Sequence, residues 1–305
     1  MLFKSAYRLG EEFTARARHF RQPLFFLAHQ DDELNYAGLI SRLGPKTKFA
    51  WVTNGDGLYK ESQLSPEAYG ELRMAEAVKS IGAAGVPPEN ALFLKFSEIE
   101  IYRRMAALYA APGSMQEHRE YFDGMRVAVR KAVFDIEPDV VFVCAWQGGQ
   151  PEHDLSHFFT MLALRDLARE RGVRAEFFHL PEYEYTILLS MRFHPLYPGV
   201  RYRIRITPAE MAVKNAMVEA YPSQVRLFAD FRKVFERIGK VTGLVGGPVT
   251  AEDYLSIEEF SPVPEGLDYR AMPHLHDYFT YMFDDFEGTP VTFTRSILPV
   301  VNAFL

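Results

Sequence analysis

A histidine and three acidic residues lie within five consecutive positions near the start of the chain: His29, Gln30, Asp31, Asp32 and Glu33. So many ionisable groups in one turn would repel and be costly to desolvate unless a cation held them together. One imidazole and one carboxylate make two of the three protein ligands of a typical catalytic zinc ion, and a neighbouring carboxylate can take the proton of the metal-bound water. The segment therefore indicates half of a metal site. The simpler alternative is an acidic helix start capped by Asp31 or Asp32.

A second cluster of the same residue types lies further along the chain, at Gln150, Glu152, His153, Asp154 and His157. His153 and His157 are four residues apart and would share one face of a helix, so either is a candidate third ligand. Together with the first cluster, they would complete a His, Asp, His site that leaves one position open for water. A lone histidine is more often a surface or packed residue, but two histidines at the start of a helix make that alternative weaker here.

Each cluster follows a segment that is predicted to be a buried strand. Residues 24–28 and 139–145 are short apolar runs, which suit strands covered on both faces of a parallel sheet. Helical spacing of apolar residues begins after each cluster, so both clusters lie in strand-to-helix turns, where open α/β sheets bind ligands. The commonest doubly wound order places strands one and four side by side. The two clusters are therefore expected to face each other.

Strands and helices alternate along most of the chain. Further strands are predicted at 48–53, 90–96, 175–180, 183–191 and 202–206, and helices at the N-terminus, 69–82, 116–134 and 208–235, the last with a break at 221–223. This alternation predicts an α/β fold with a doubly wound, mostly parallel sheet and helices on both faces.

The last part of the chain has no clear pattern of helices or strands. It is rich in proline, glycine and aromatic residues. We expect a catalytic domain at 1–236 and a C-terminal extension at 237–305 that packs on it. The aromatic residues of the extension are expected to serve packing more than ligand binding; they include Tyr269, Tyr278, Phe279 and Tyr281.

The composition is that of an ordinary globular protein, with 305 residues, 48% hydrophobic and 24% charged. A net charge of -6 and a pI near 5.9 argue against nucleic-acid binding. The single cysteine, Cys144, excludes an intrachain disulfide, and no apolar run is long enough for a membrane span or a signal peptide. These features predict a cytoplasmic protein, and they are compatible with a homo-oligomer.

Five motifs together resemble those of the PIG-L/LmbE-like deacetylases. They occur in the family's order: AHQDDE at 28–33, TNGD at 53–56, RMAE at 73–76, QGGQPEHD at 147–154 and KNAMVEAYPSQ at 214–224. Members of that family are zinc-dependent hydrolases with a Rossmann-like fold that remove acetyl groups from N-acetylglucosamine conjugates and related amino sugars. The resemblance implies that His29, Asp32 and His153 bind the metal. It also implies that Asp31 is the general base and that Arg73 is a substrate-binding residue.

The chain departs from the family's motifs at three positions. The family has proline at the position of Gln30, a difference that should change loop stiffness more than chemistry. It has HPDH where this chain has QPEH, so Gln150 replaces a histidine that is thought to stabilise or protonate the tetrahedral intermediate, and Glu152 replaces an aspartate. Glutamine can donate a hydrogen bond to an oxyanion but cannot supply a proton near neutral pH. Gln150 is thus kept as a candidate catalytic residue, and the supporting residues or alternative ligands are Glu33, Asp154 and His157.

The leading hypothesis is a metal-dependent hydrolase that removes an acetyl group from an N-acetylated amino sugar, by attack of a zinc-bound water with Asp31 as base. Zn²⁺ is the expected metal, although two histidines and a carboxylate also suit Fe²⁺. The alternative is a metal- or sugar-binding protein of the same fold in which Gln150 has weakened or abolished catalysis. A nucleotide-binding domain ranks lower, because the first loop is acidic and lacks a glycine-rich fingerprint.

Overall fold

A seven-stranded sheet organises the part of the chain that the computed structural model describes, which is residues 2–184, 189–194, 196–242, 250–273 and 285–305. The strands are β1 (Pro23–Leu27), β2 (Lys48–Thr53), β3 (Ala91–Phe96), β4 (Val140–Cys144), β5 (Glu176–Leu180), β6 (Tyr183–Glu184), β7 (Leu189–Ser190), β8 (Tyr202–Arg205), β9 (Ile257–Pro262), β10 (Asp285–Phe286) and β11 (Thr289–Pro290). The sheet has the order β3-β2-β1-β4-β5-β9-β8. Strands β1 to β5 run parallel, whereas β9 is antiparallel to both β5 and β8. The predicted mostly parallel α/β sheet is confirmed.

Helices cover both faces of the sheet, as predicted. They are α1 (Leu2–Ala17), α2 (Ala37–Leu43), α3 (Pro66–Ala83), α4 (Glu98–Ala110), α5 (Met115–Ile136), α6 (Pro151–Arg171), α7 (Pro208–Glu219), α8 (Val225–Thr242), α9 (Ala251–Leu255) and α10 (Leu298–Phe304). Helices α1, α2, α3 and α7 contribute to the core on one face, and α4, α5, α6 and α10 to the core on the other. Among the described residues, no helix has an apolar stretch of the length needed to cross a membrane.

Strand β1 lies at the centre because its side chains can be buried on both faces. All five of its residues are buried. Phe25 faces one core, where its ring stacks on Phe49 at 5.2 Å and on Phe142 at 4.9 Å, while Leu24 and Phe26 face the other core. A continuous apolar run is stable in this position, since neither face of the strand meets water.

The pairing of β1 with β4 brings together the two chain segments that carry the candidate site. The two strands are parallel, with Phe26 opposite Val143. Their carboxyl ends therefore lie at the same edge of the sheet. The turn after β1 continues into a short 3₁₀ helix at Asp32–Tyr36, and the turn after β4 leads into α6.

Several elements were not predicted from the sequence, and two of them matter most for the site and the sheet. Helix α4 follows β3 directly, and β9 lies within the sheet between β5 and β8 although it comes from the unassigned C-terminal segment. Helix α8 passes through residue 236, where we divided the chain, and that division stays a prediction. The strand predicted at 183–191 is instead a short antiparallel pair, β6 and β7. Tyr278, Phe279 and Tyr281 lie outside the described residues.

Candidate metal centre

His29, Asp32 and His153 converge at the carboxyl ends of β1 and β4. His29 Nδ1 lies 3.1 Å from His153 Nε2, which in turn lies 3.2 Å from Asp32 Oδ1. The remaining distance, from His29 Nδ1 to Asp32 Oδ1, is 3.9 Å. Ligands bound tetrahedrally at about 2.1 Å are roughly 3.4 Å apart, so one zinc-sized ion fits between these three atoms. Two ring nitrogens and a carboxylate oxygen are also the donor set that zinc favours.

Asp32 is held so that one of its oxygens remains for a cation. Its Oδ2 accepts hydrogen bonds from the backbone N–H groups of Ala28 at 3.1 Å and His29 at 2.8 Å, and the Cys144 thiol lies 3.5 Å away. Oδ1 faces the two histidines. Burial raises the pKa of Asp32, but the neighbouring His153 and His29 outweigh burial and hold that pKa well below its usual range. The carboxylate is therefore ionised and oriented.

Asp31 lies beside these three residues in a strained backbone conformation. Its φ of 128° is in a region that residues other than glycine rarely adopt, and such strain is often found at functional sites. Arg73, at 3.0 Å from Asp31 Oδ2, forms an ion pair with it and also donates to the carbonyl of Gln30. Burial raises the pKa of Asp31 to about 7, although the charge of Arg73 opposes this shift. A carboxyl group with such a pKa can exchange a proton near neutral pH.

Glu33 points away from the two histidines and fixes the turn after β1. Its Oε1 accepts hydrogen bonds from the hydroxyls of Tyr221 at 2.6 Å and Ser80 at 2.7 Å, and its Oε2 accepts from the backbone N–H of Asp31 at 3.1 Å. Glu33 thus connects the turn to α3 and to the segment after α7. These contacts fit a supporting role and not that of an alternative ligand.

The other two residues considered as alternative ligands also have different partners. Asp154 accepts hydrogen bonds from the backbone N–H groups of Gln147 and Gly148, both at 3.3 Å, and so supports the turn after β4. His157 Nδ1 donates to the Cys144 carbonyl at 2.8 Å, and its Nε2 lies 3.0 Å from the Tyr269 hydroxyl. Burial lowers the pKa of His157 to about 4, so the ring is neutral. Neither of its nitrogens is directed at the candidate metal position.

The two glutamines that replace family residues occupy different environments. Gln150 precedes α6 and is partly exposed, and within the described part of the chain its Oε1 has no hydrogen-bond partner. Gln30 is fully buried, and its Nε2 donates to the Thr53 carbonyl at 2.8 Å. The side chain of Gln30 thus links the loop after β1 to the end of β2, which proline could not do.

Three residues beside the centre were not assigned a role from the sequence. Glu98 Oε2 lies 4.0 Å from His29 Nε2, and Glu152 belongs to the same group of side chains. The Tyr183 ring stacks on His153 at 5.7 Å with an interplanar angle of 7°. Glu98 is the first residue of α4. The Ser97-x-x-Glu100 pattern is typical of a helix start and could have predicted this helix from the sequence. Burial lowers the pKa of His29, but Glu98 and Asp32 outweigh it and raise that pKa to about 10.

Comparisons with known proteins found one matching family model and several solved structures with a similar fold. A family model described as PIG-L, GlcNAc-PI de-N-acetylase, matches residues 24–164. A deacetylase of the teicoplanin biosynthesis pathway is similar in structure, with a TM-score of 0.57, 18% identity, and coverage of 81% of this chain and 99% of that one. The A40926 pseudoaglycone deacetylase Dbv21 has a TM-score of 0.53 at 19% identity, covering 81% and 99%. The N,N'-diacetylchitobiose deacetylase of Pyrococcus horikoshii has a TM-score of 0.50 at 17% identity, covering 91% and 95%. No curated protein sequence matched the chain.

Proposed function

Because residues 24–164 form a PIG-L family domain, we propose that the chain is a metal-dependent N-deacetylase that hydrolyses the acetamide of an N-acetylated amino sugar. The observation that carries this proposal is the convergence of His29, Asp32 and His153 within 3.9 Å of one another, with Asp31 beside them. These are the positions at which the sequence motifs resemble the family's metal and base residues. The proposed metal ligands and the proposed base therefore lie in one cluster of side chains.

Zinc is the metal that the three candidate ligands suit best, and Fe²⁺ is the main competitor. When bound, such an ion would polarise the acetamide carbonyl and lower the pKa of the attacking water towards about 7. The protein's part is to fix the ligands. Backbone N–H groups donate to Asp32 Oδ2 and fix the orientation of this carboxylate. Tyr183 stacks on the His153 ring and fixes the orientation of that ring.

Asp31 is proposed to move the proton. As water attacks the carbonyl carbon, Asp31 accepts the proton that the water loses. It then delivers that proton to the nitrogen of the leaving amine, because the C–N bond breaks readily only when the nitrogen is protonated. A pKa near 7 lets one carboxyl group serve in both directions, and burial is the main cause of that value. The ion pair with Arg73 holds the carboxylate in place.

Gln150 is proposed to hydrogen-bond to the developing oxyanion through its side-chain amide. It cannot donate a proton at neutral pH, so the protonation step depends on Asp31 alone. The proposal of a substrate of the N-acetylglucosamine type is supported by the structural relatives, which are a deacetylase of the teicoplanin biosynthesis pathway, an A40926 pseudoaglycone deacetylase and an N,N'-diacetylchitobiose deacetylase. All three similarities are below 25% identity, so they support the class of substrate and not a particular sugar.

One observation favours a second candidate, a sugar- or metal-binding protein with little catalysis. Gln150 takes the place of the motif histidine, and in the described residues its carbonyl oxygen has no partner. The Gln150→His variant separates the two proposals. If the native chain already turns over, the binding-protein proposal fails. If only the histidine variant releases amine, the native chain is a binding protein.

The decisive experiment combines metal content with amine release. The native protein and His153→Ala would be analysed by elemental mass spectrometry and then incubated with a panel of N-acetylated amino sugars. We expect near-stoichiometric metal in the native protein, loss of that metal in the variant, and amine release that stops on chelation and returns with zinc. A native protein without affinity for divalent metals would refute the proposed function.

A further inference from the structure

A second group of metal-binding side chains lies on the opposite side of the His29 ring. His29 offers Nδ1 to the centre described above, whereas its Nε2 lies 4.0 Å from Glu98 Oε2, and Glu152 belongs to the same group of side chains. One ligand atom from each of these three residues lies within 4.8 Å of the other two. One imidazole nitrogen and two carboxylates are a donor set that binds divalent transition metals.

Glu152 is the most deeply buried residue of this group. Its side chain is buried, with the residue only 1% exposed, and neither carboxylate oxygen has a hydrogen-bond partner in the described part of the chain. A buried carboxyl group whose oxygens have no close hydrogen-bond donor is costly. A cation between Glu152 and its neighbours would offset this cost.

Glu98 is held in the orientation that such a cation needs. Its Oε1 lies 3.2 Å from the Thr53 hydroxyl, which leaves Oε2 on the side of His29. Gly57 makes the room for this oxygen, because a Cβ atom at that position would lie 2.2 Å from Glu98 Oε2. Gly57, in the loop after β2, therefore leaves space for the Glu98 carboxylate at the start of α4.

The contacts do not fit a simple supporting hydrogen bond. His29 Nε2 and Glu98 Oε2 are 4.0 Å apart, which is too far for a hydrogen bond. Arg73, the neighbouring guanidinium, is already paired with Asp31.

We propose that His29, Glu98 and Glu152 form a second divalent-cation site, which shares the His29 ring with the first centre and fills after it. Binding exchanges the proton on His29 Nε2, which goes to solvent, for a bond between that nitrogen and the metal. Because one ring then serves two cations, the second ion binds more weakly than the first. The mixed nitrogen and oxygen donors suit Zn²⁺ or Mn²⁺.

Metal stoichiometry tests this proposal. Metal-free protein would be dialysed against increasing Zn²⁺ or Mn²⁺, and bound metal measured by elemental mass spectrometry. We expect the native chain to take up a second equivalent after the first is complete. Glu98→Gln and Glu152→Gln, each nearly isosteric, should each lose the second equivalent and keep the first. His153→Ala should weaken the first instead.

Glu76→Gln serves as the matched control. Glu76 is also a fully buried carboxylate, but its two oxygens accept hydrogen bonds from the Ser223 N–H at 3.0 Å and the Ser223 hydroxyl at 2.5 Å. This variant should bind as much metal as the native chain, and circular dichroism would verify that all variants are folded. Gly57→Ala gives an independent readout, since displacing Glu98 should weaken the second equivalent at least several-fold.

Two results would overturn the proposal: saturation of the native chain with a single equivalent, or retention of the second equivalent in either glutamine variant. The latter would mark an ion bound elsewhere on the surface. The outcome is separate from that of the proposed function. If the native chain releases no amine but both glutamine variants lose the second equivalent, the second cation site is supported and the proposed deacetylase function is refuted.

Discussion

At the scale of single residues, the candidate centre separates ligands from the groups that hold them. Asp32 directs one oxygen towards His29 and His153, while backbone N–H groups occupy the other. Asp31 is next to Asp32 in sequence, but its pKa is shifted in the opposite direction. Burial raises it with only partial compensation by Arg73, whereas two histidines hold the pKa of Asp32 low. Two adjacent carboxyl groups can thus have different tasks.

The first prediction concerns Asp31 as the proton carrier. Asp31→Asn keeps the shape of the side chain but removes its ability to accept a proton, so amine release should fall by a factor of about 100 to 10,000. Metal content should remain that of the native protein, because Asp31 is not one of the proposed ligands. Both quantities can be measured on the same sample. Full activity in the variant would refute the proposed role.

The sequence revealed the residues of this centre better than their surroundings. The types and spacing of His29, Asp32 and His153 indicated a metal site. The sequence could not decide between His153 and His157, which share a helical face. The structure separates them because only His153 lies over the end of β1, whereas His157 contacts the Cys144 carbonyl and Tyr269.

At the scale of elements, the motifs outside the centre serve as connections between loops and helices. Asp56 of the TNGD motif accepts hydrogen bonds from the Ser97 hydroxyl at 2.6 Å and the Ile99 N–H at 3.3 Å, which joins the loop after β2 to the start of α4. Glu76 of the RMAE motif accepts from Ser223 after α7. These contacts give the motifs a physical reason that spacing alone did not supply.

The second prediction tests the link from the segment after α7 to the turn after β1. Tyr221→Phe removes the 2.6 Å hydrogen bond to Glu33 and leaves a buried carboxyl group with one donor fewer. The free energy of unfolding should fall by about 1.5–3 kcal/mol, the range for hydrogen bonds to charged groups. Urea denaturation measures this difference. Tyr7→Phe on α1, where the ring is only half-buried, should change stability by less than about 0.5 kcal/mol. Equal effects of the two changes would contradict the link.

The third prediction concerns Gly55, in the loop after β2. Gly55 has a φ of 78°, and a Cβ atom there would lie 2.4 Å from Gln30 Oε1. Gly55→Ala should therefore destabilise the protein by about 1–3 kcal/mol through backbone strain and the displaced glutamine. Gly113→Ala is the matched control, because a Cβ atom at Gly113 meets nothing within 4 Å. Thermal denaturation of both variants gives the comparison, and a neutral Gly55→Ala would show that the loop adapts.

At the scale of the whole molecule, the C-terminal segment contributes to the main body of the fold. Strand β9 lies between β5 and β8, and its Phe260 is fully buried against Phe13 at 5.0 Å and Phe178 at 5.7 Å. On the opposite face, Val300 and Val301 of α10 belong to the other core. The segment therefore contacts both layers of helices.

The fourth prediction follows from this position of β9. A fragment of residues 1–236 would lose one strand from inside the sheet and expose the edge of β5. Each fully buried large side chain contributes about 1.5–3 kcal/mol, so losing several would consume most of a typical stability of about 5–15 kcal/mol. The fragment should lack a cooperative urea transition, which the full chain should have. A cooperative transition in the fragment would support residues 1–236 as an independent domain.

The sequence by itself determined the five parallel strands, most of the helices on the faces of the sheet and the side chains of the candidate centre. These features depend on local patterns: apolar runs mark buried strands, and polar residues after them mark the strand ends. Tertiary structure decided the position of β9, the contact of Tyr221 with Glu33, and the approach of Glu98 and Glu152 to His29. Each joins residues distant in sequence, and whether they meet depends on strand order and helix packing, which no local pattern encodes.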